Sequence, residues 1–169
     1  QVDGISHYRS GVTNFYTLNN YYALCTKYAP TIRNSTSITH GVNTKNALNV
    51  ANEVIIPMQC EYLALEGLGV MVDIVKQVSE AGNQSLHISG ILMTMYNPST
   101  NLSQQVVQEV VKHFGDRVFE TLIPRNVRLS EAPSFGLPVN KHDPHCVGTA
   151  AYRSLAKEFI TRQQMKDSE

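Results

Sequence analysis

The sequence lacks the features that would assign it to several common classes of protein. Its 14 acidic and 14 basic residues cancel, which argues against a strongly electrostatic nucleic-acid binder but leaves a local basic patch open. No apolar run approaches the roughly 20 residues that a membrane-spanning helix needs. The first residues show no basic stretch followed by an apolar one, the pattern of a signal peptide. We therefore expect a cytoplasmic protein without a membrane partner.

Cysteine is scarce as well. The three cysteines, Cys25, Cys60 and Cys146, are scattered and odd in number, which is not the pattern of a disulfide framework. Free thiols in a reducing compartment are the expected state. Apolar residues are plentiful, because 169 residues with 42% hydrophobic content suit one domain with a sizeable core. The chain begins with Gln1 rather than Met, so a fragment is one interpretation that stays open.

The composition changes near residue 40. Before it, tyrosine, asparagine, threonine and serine are frequent, and the few apolar residues follow neither the helical nor the strand period. Residues 14–24 could form a short helix or a strand, and the pattern does not choose between them. Pro30 and the polar run at 34–37 are typical of a loop. We therefore treat residues 1–40 as a divergent N-terminal segment of unknown role.

After residue 47, apolar runs and helical stripes alternate in an orderly way. The run Glu53–Pro57 is short, apolar and ends in proline, which suits a buried parallel strand. The stretch 61–81 carries an apolar stripe at helical spacing, with Gly82 placed for a left-handed C-cap. By the same reasoning we predict, in chain order, a strand at 86–94, a helix at 102–114, a strand at 118–123, a short helical piece within 126–135 and a helix at 148–162.

This alternation predicts an α/β fold, in which a parallel sheet is flanked by helices and connected by right-handed crossovers. Ligands of such sheets lie beyond the carboxyl ends of the strands. Here those ends are Pro57, the stretch 94–97 and the stretch 124–126. We therefore expect any small-molecule site at these places.

Three strings of residues are more specific than this general pattern. They are Ala-Asn-Glu-Val-Ile-Ile-Pro at 51–57, Gly-Ile-Leu-Met-Thr-Met-Tyr at 90–96, and Ile-Pro-Arg-Asn-Val-Arg-Leu-Ser-Glu-Ala-Pro-Ser-Phe-Gly at 123–136. In order and spacing they resemble the ParA/Soj branch of the ParA/MinD ATPases. The resemblance implies that 41–162 is the C-terminal part of a ParA-like ATPase domain and that 163–169 is a polar tail.

The resemblance implies a P-loop NTPase-like fold that binds ATP and Mg²⁺ and forms nucleotide sandwich dimers. It also implies non-specific DNA binding, a nucleoid-associated location, and a ParB-type partner that stimulates hydrolysis during chromosome or plasmid partitioning. By resemblance, adenine and ribose would lie against Thr94, Met95, Pro124, Arg125 and Asn126. The alternative is that Pro124 and Arg125 merely end a strand and cap the sheet.

The phosphate-binding part of that family's site is not found in this sequence. No Gly-Lys-Ser or Gly-Lys-Thr occurs, and no other loop combines several glycines with two lysines to hold phosphates. The family's aspartate for hydrated Mg²⁺ would fall near Ser35, and a serine cannot supply a carboxylate. We therefore predict a partial fold without the N-terminal P-loop strand, no catalytic residue, and a chain that is not ATPase-competent alone.

Three explanations of this absence stay open: a truncated or chimeric product, a degenerate relative that does not hydrolyse ATP, or part of a longer protein. Three functions stay open with them. The first is a partitioning protein represented by its C-terminal part. The second is a non-catalytic module or remnant that associates with a full-length relative. The third is an α/β domain that binds a small molecule without hydrolysis.

Other candidate sites are weaker. The loop with His142, His145 and Cys146 could supply three metal ligands but needs a fourth from elsewhere, so we expect no metal site. The last helix and its tail lack the basic and bulky-apolar faces of a membrane-surface helix. Four basic residues could contact DNA phosphates, although ordinary solvated surface is the alternative. They are Lys112, Arg117, Arg125 and Arg128.

Overall fold

One mixed sheet organises the part of the chain that the structure describes. The computed structural model describes residues 13–18, 21–26 and 42–166. The sheet contains β1 (Thr13–Leu18), β2 (Tyr21–Thr26), β3 (Glu53–Gln59) and β4 (His87–Thr94), in the order β1-β2-β3-β4. The pairs β1–β2 and β2–β3 are antiparallel, whereas β3 and β4 run parallel. The sequence pattern at 14–24 was compatible with helix or strand, and the structure has strands there.

Helices connect and flank these strands. The predicted helices at 61–81 and 102–114 are confirmed with ends that differ by one residue or none, and the last helix extends beyond the predicted 148–162 at both ends. A helix before β3 was not predicted. The helices are α1 (Val42–Val50), α2 (Tyr62–Ala81), α3 (Asn101–Phe114), α4 (Val127–Glu131), α5 (Val139–His142) and α6 (Val147–Lys166), with 3₁₀ turns at Gly115–Arg117 and Ala132–Phe135.

The core has two layers, one on each face of the sheet. The alternation of strand side chains sends Ile56, Met58 and their neighbours to the face that α2 and α3 cover. Ile55 and Leu92 point to the opposite face, where they pack with Phe119 against α6. Burying each such side chain stabilises the fold by roughly 1.5–3 kcal/mol. The predicted α/β class, with parallel strands flanked by helices, is thereby confirmed. The strands β1 and β2 add an antiparallel part to the sheet.

The predicted end of β3 at Pro57 is wrong, because the strand continues to Gln59. The amide of Cys60 donates to the carbonyl of Thr94 on β4. Because amides alternate sides along a strand, the backbone nitrogen of Pro57 faces away from β4. The strand β2 pairs with β3 only at Val54 and Ile55. No described strand therefore lies where it would accept a hydrogen bond from the backbone nitrogen of residue 57, and proline is tolerated there.

The predicted third strand at 118–123 is also corrected. This segment lies beside β4 but makes only two isolated parallel bridges, Ile91 with Val118 and Tyr96 with Pro124. Its amides at Phe119 and Ile123 donate to β4 carbonyls, each at 2.9 Å. The residues between them leave the ladder, because the amides of Glu120 and Thr121 donate to the carboxylate of Glu158 on α6.

The end of α2 differs from the prediction in detail. Gly82 follows the helix but has φ of 169°, which is extended backbone and not the left-handed C-cap expected. The next residue, Asn83, makes the side-chain hydrogen bonds in this region. The Asn83 side-chain amide donates to the carbonyls of Leu48 and Ala51, both at 2.7 Å. These bonds satisfy carbonyls at the end of α1 that have no partner within the helix, and they join α1 to α2.

Candidate functional site

The carboxyl ends of β3, β4 and the 118–124 segment meet at one edge of the sheet. The amide of Tyr96 donates to the carbonyl of Ile123 at 3.0 Å, and the amide of Arg125 donates to the carbonyl of Tyr96 at 2.9 Å. The sequence-predicted groups Thr94–Met95 and Pro124–Asn126 are therefore neighbours in space. Nucleotide binding by these groups stays a prediction.

Thr94 supports the edge from inside. Its side chain is buried, and its hydroxyl donates to the carbonyl of Met58 at 3.0 Å. Its own carbonyl accepts from the amide of Cys60. Both contacts join the end of β4 to the end of β3, so the Thr94 hydroxyl proton is used within the protein.

Met95 is the conformationally unusual residue of the edge. Its φ is 54°, and it is the one non-glycine residue with positive φ among those the structure describes. L-residues adopt this region at a cost of roughly 1–2 kcal/mol. Residues in such conformations cluster at ligand-binding sites, where the surrounding structure holds them in place. The turn presents the Met95 side chain, which is 38% exposed, at the carboxyl end of β4.

The opposite side of the edge is formed by Pro124, Arg125 and Asn126. Arg125 is exposed and makes no ion pair within the described residues, so its guanidinium is available to an anion or a ring. Asn126 has a structural task, because its side-chain oxygen accepts from the amide of Arg128 at 2.8 Å and caps α4. Pro124 is half-buried beside Tyr96.

Two neighbouring features were not predicted. Tyr96 connects the two sides of the edge through its backbone, although its side chain gives no local signal for this role. The helix α2 begins at the same edge, and its first residues Tyr62 and Leu63 are 72% and 79% exposed. Their exposure could not be read from the sequence, because an apolar pair at the start of an amphipathic helix is usually assigned to the core.

Cys60 lies at this edge but is unsuited to nucleophilic chemistry. Burial, with a smaller contribution from the charge of Glu61, raises the pKa of the Cys60 thiol to about 11. The thiol is therefore protonated at neutral pH, whereas nucleophilic cysteines act as thiolates.

The loop before α6 uses its polar side chains internally. His142 stacks on Phe135 with ring centroids 4.8 Å apart and lies 3.6 Å from a carboxylate oxygen of Glu131. Cys146 interacts with Thr149 through its thiol. No group of three residues placed to hold a metal ion occurs within the stretches that the structure describes.

The basic candidates for DNA contact differ in their surroundings. Lys112 lies 3.8 Å from Glu109, and Arg128 pairs with Glu131 at 2.8 Å. The hydrogen bond from Arg128 lowers the pKa of the Glu131 carboxyl and raises that of the arginine. Arg117 and Arg125 have no ion pair in the described part of the chain. They belong to opposite ends of the 118–124 segment, so the four residues do not form one patch.

A separate groove of about 1350 Å³ lies at the amino ends of the strands, away from this edge. It is bordered by the start of β4, the ends of α2 and α3, and the C-terminal half of α6. None of the five predicted site residues lines it. Among the described residues, no helix is both long and apolar enough to cross a membrane.

Comparison with known proteins identifies relatives of the same part of the chain. A family model described as an AAA domain matches residues 34–88. The chain is 53% identical over 119 residues to the chromosome-partitioning ATPase Soj of Treponema pallidum, which covers 70% of this chain and 47% of that protein. It is 47% identical over 121 residues to the chromosome partitioning protein ParA of Caulobacter vibrioides, covering 72% and 45%. The chain thus spans a little under half the length of these relatives.

A third relative and a solved structure agree with this. The sporulation initiation inhibitor protein Soj of Bacillus subtilis is 51% identical over 115 residues, which is 68% of this chain and 46% of that protein. The crystal structure of cobyrinic acid a,c-diamide synthase from Mycobacterium smegmatis with bound ADP and magnesium is similar with a TM-score of 0.58 and 29% identity. This similarity covers 73% of this chain and 44% of the synthase.

Proposed function

Because the C-terminal part of this chain belongs to the ParA/Soj-type partitioning ATPases, we propose that it forms the base- and ribose-binding part of a chromosome or plasmid partitioning ATPase. The observation that carries this proposal is the pairing of the two strand-end segments, in which Tyr96 bonds to both Ile123 and Arg125. This pairing supports a shallow pocket with backbone groups and an apolar side chain, which suits a purine and its ribose.

In this proposal each edge residue has a distinct task. Met95 offers an apolar side chain to the face of the base, and Pro124 offers a rigid backbone carbonyl. Arg125 lies over the ring or beside the ribose, since a guanidinium stacks on aromatic faces. Thr94 and Asn126 hold the two segments in place through their bonds to Met58 and Arg128.

The phosphate contacts and the magnesium ligands are not found in this sequence. Glycine-rich loops with a lysine and a serine or threonine supply these contacts in P-loop NTPases, and no such loop occurs here. The position proposed for a magnesium-binding aspartate, near Ser35, lies outside the described residues. We infer that the nucleotide is held only at its base and ribose by this chain, and that hydrolysis needs groups from elsewhere.

The family also suggests partners. A ParB-type partner, non-specific DNA, a homodimer and a nucleoid-associated cytoplasmic location belong to the proposal by family membership. Among the four basic candidates, Arg117 is the one we propose for DNA contact, because Lys112 and Arg128 are paired with acidic residues and Arg125 is assigned to the nucleotide. The division of the chain into 1–40, 41–162 and 163–169 stays a prediction.

A second function is favoured by the same missing loop. A chain with this fold but no phosphate loop would act as a non-catalytic module that associates with a full-length relative. The exposed side chains of Tyr62, Leu63 and Val127 support this, because large apolar side chains in one region are typical of association surfaces.

Calorimetric titration of the 169-residue chain with three ligands separates these functions. We expect ATP with Mg²⁺, ADP and adenosine to bind with similar affinity, because the phosphates make no contact. ATP binding more than about tenfold tighter than adenosine, a difference of about 1.4 kcal/mol, would contradict the missing phosphate site. No binding by any of the three would reject the base pocket and leave the non-catalytic module.

A pair of arginine variants provides the matched control. Arg125→Ala removes the exposed guanidinium at the carboxyl edge and should weaken adenosine binding severalfold. Arg117→Ala removes another exposed guanidinium, at the other end of the same segment, and should leave the affinity unchanged. Equal effects in both variants would show that charge, and not the position at the edge, determines binding.

A further inference from the structure

Two consecutive backbone amides in the 118–124 segment bind one carboxylate. The amide of Glu120 donates to Oε1 of Glu158 at 2.8 Å, and the amide of Thr121 donates to Oε2 at 2.9 Å. In a β-strand successive amides point to opposite sides. Both amides can reach Glu158 only if the chain leaves the strand conformation there, so this contact and a regular third strand exclude each other.

The register against β4 shows the consequence. The amide of Phe119 donates to the carbonyl of Ile91, and the amide of Ile123 donates to the carbonyl of Met93. Four residues of the segment therefore advance along two residues of β4, whereas parallel strands normally advance in step. Between Phe119 and Ile123 the segment therefore has two more residues than the facing part of β4, and the amides that Glu158 binds lie within this stretch.

Arg162 completes the contact from the next turn of α6. Its guanidinium lies 2.8 Å from Oε1 of Glu158 and donates to the carbonyls of Asp116 and Val118 at 2.8 and 2.7 Å. It also lies over the ring of Phe119, 4.5 Å from the centroid. The side chains of Glu158 and Arg162 are only 17% and 25% exposed, so solvent screens this pair less than an ordinary surface pair.

The same segment ends in the candidate site. The carbonyl of Ile123 accepts from the amide of Tyr96, and Arg125 follows two residues later. From the bridge at Val118 to the bridge at Pro124 the segment advances six residues while β4 advances five, so release of the bulge could shift the end of the segment by one residue, about 3.3 Å, along β4. The register that Glu158 holds therefore determines where the 124–126 loop meets the end of β4.

We propose that Glu158 is a positioning residue and that, with Arg162, it forms a latch on α6 that holds the 118–124 segment in its bulged register. The latch thereby places the loop formed by Pro124, Arg125 and Asn126 beside Tyr96. The latch itself is independent of any ligand, and only its effect on nucleotide binding rests on the proposed function.

The test uses Glu158→Gln in the whole 169-residue chain. Glutamine has the same shape, but its side-chain amide has one acceptor oxygen, so only one of the two backbone amides keeps its partner. We expect hydrogen exchange at Glu120 or Thr121, followed by NMR, to become at least tenfold faster. The amide shifts of Arg125 and Asn126 should move, while the amides of β3 stay as protected as before.

The matched control is Glu120→Gln. It removes an exposed carboxylate from the same segment and keeps the backbone amide, so neither the exchange pattern nor the shifts of Arg125 and Asn126 should change. Arg162→Lys is a second test should Glu158→Gln not fold. Lysine keeps the positive charge but not the two-carbonyl contact, and it should loosen the same amides to a smaller extent.

The outcomes decide the proposal. Faster exchange at every amide, including those of β3, would indicate a general loss of stability and would overturn the latch. Unchanged shifts at Arg125 and Asn126, despite loosened amides, would overturn the positioning role. If the parent chain binds ATP, Glu158→Gln should weaken that binding about tenfold and Glu120→Gln should not. Failure of the parent chain to bind ATP would reject the proposed function and leave the exchange result as the test of the latch.

Discussion

The thiol of Cys146 accepts a hydrogen bond from the backbone amide of Thr149, at 3.4 Å. The carbonyl of Cys146 accepts from the amide of Ala150, so the cysteine occupies the N-cap position of α6. This position usually holds serine, threonine, aspartate or asparagine, because their side-chain oxygens bind amides that have no partner within the helix. A half-buried cysteine that the sequence pattern placed among possible metal ligands is thereby given a helix-capping role.

Replacing this cysteine should change stability in two directions. We expect Cys146→Ser to raise the free energy of unfolding by up to about 1 kcal/mol, since a hydroxyl oxygen is a stronger acceptor than sulfur. Cys146→Ala should lower it by about 0.5 kcal/mol or more, because the amide of Thr149 loses its partner. Urea unfolding of both variants measures this. A serine variant no more stable than the alanine variant would contradict the capping role.

Gly90 is required by the packing of Phe119. A Cβ atom added at Gly90 would overlap the Phe119 ring, which is buried between β4 and α6. We expect Gly90→Ala to lower the free energy of unfolding by about 1–3 kcal/mol, as overpacking of a core does.

Gly69 supplies the control for that variant. It lies on an exposed turn of α2, and nothing lies within 4 Å of an added Cβ. Gly69→Ala should raise the free energy of unfolding by about 0.5–1 kcal/mol, because alanine favours a helix interior. The midpoint temperatures of thermal unfolding of the two variants should therefore shift in opposite directions. A shift in the same direction would show that overlap with the Phe119 ring does not destabilise Gly90→Ala.

Met95 should show opposite effects on stability and on binding. Met95→Gly removes the strain of a φ of 54° and should stabilise the fold by about 1 kcal/mol. The same change removes the apolar side chain that we propose contacts the base, so adenosine binding should weaken. Met95→Ala keeps the strain and should weaken binding without stabilising the fold. Binding that survives in both variants would remove Met95 from the proposed pocket.

The latch on α6 predicts how stability depends on pH. Burial tends to raise the pKa of Glu158, but hydrogen bonds from Thr121 and Glu120 and the charge of Arg162 outweigh burial and lower this pKa. A lowered pKa in the folded state stabilises the fold above the ordinary glutamate pKa of about 4.3. This contribution is lost as the pH falls through the lower folded-state pKa.

Chemical denaturation from pH 7 down to about 3 measures this dependence. The stability difference between the parent chain and Glu158→Gln should be largest near neutral pH and should shrink below about pH 4.3. Glu120→Gln, which keeps Glu158 and both backbone amides, is the matched control. A difference that stays constant across this range would indicate that Glu158 acts through its shape and not through its charge.

The candidate site was predictable in part. Strand-end positions indicated the stretches 94–97 and 124–126, the resemblance selected Thr94, Met95, Pro124, Arg125 and Asn126 within them, and the structure makes the two groups neighbours. The role of Tyr96 was not predictable, because its contacts are made by the backbone and do not depend on the type of side chain. The internal use of the Thr94 hydroxyl was hidden for the same reason, since its acceptor, the carbonyl of Met58, lies 36 positions away in the sequence.

The α/β class and the positions of α2 and α3 followed from the sequence alone. The apolar run of β3 and the stripes of α2 and α3 are local patterns, and burial of apolar surface follows such patterns directly. Only the tertiary structure decided the register of the 118–124 segment. Its composition suits a strand, but Glu158, 37 positions after Thr121, binds two amides that a strand would direct to opposite sides. A local periodic pattern in the sequence does not report a contact with a carboxylate so distant in the chain. Hydrogen bonding to that carboxylate overrode the strand propensity of the segment.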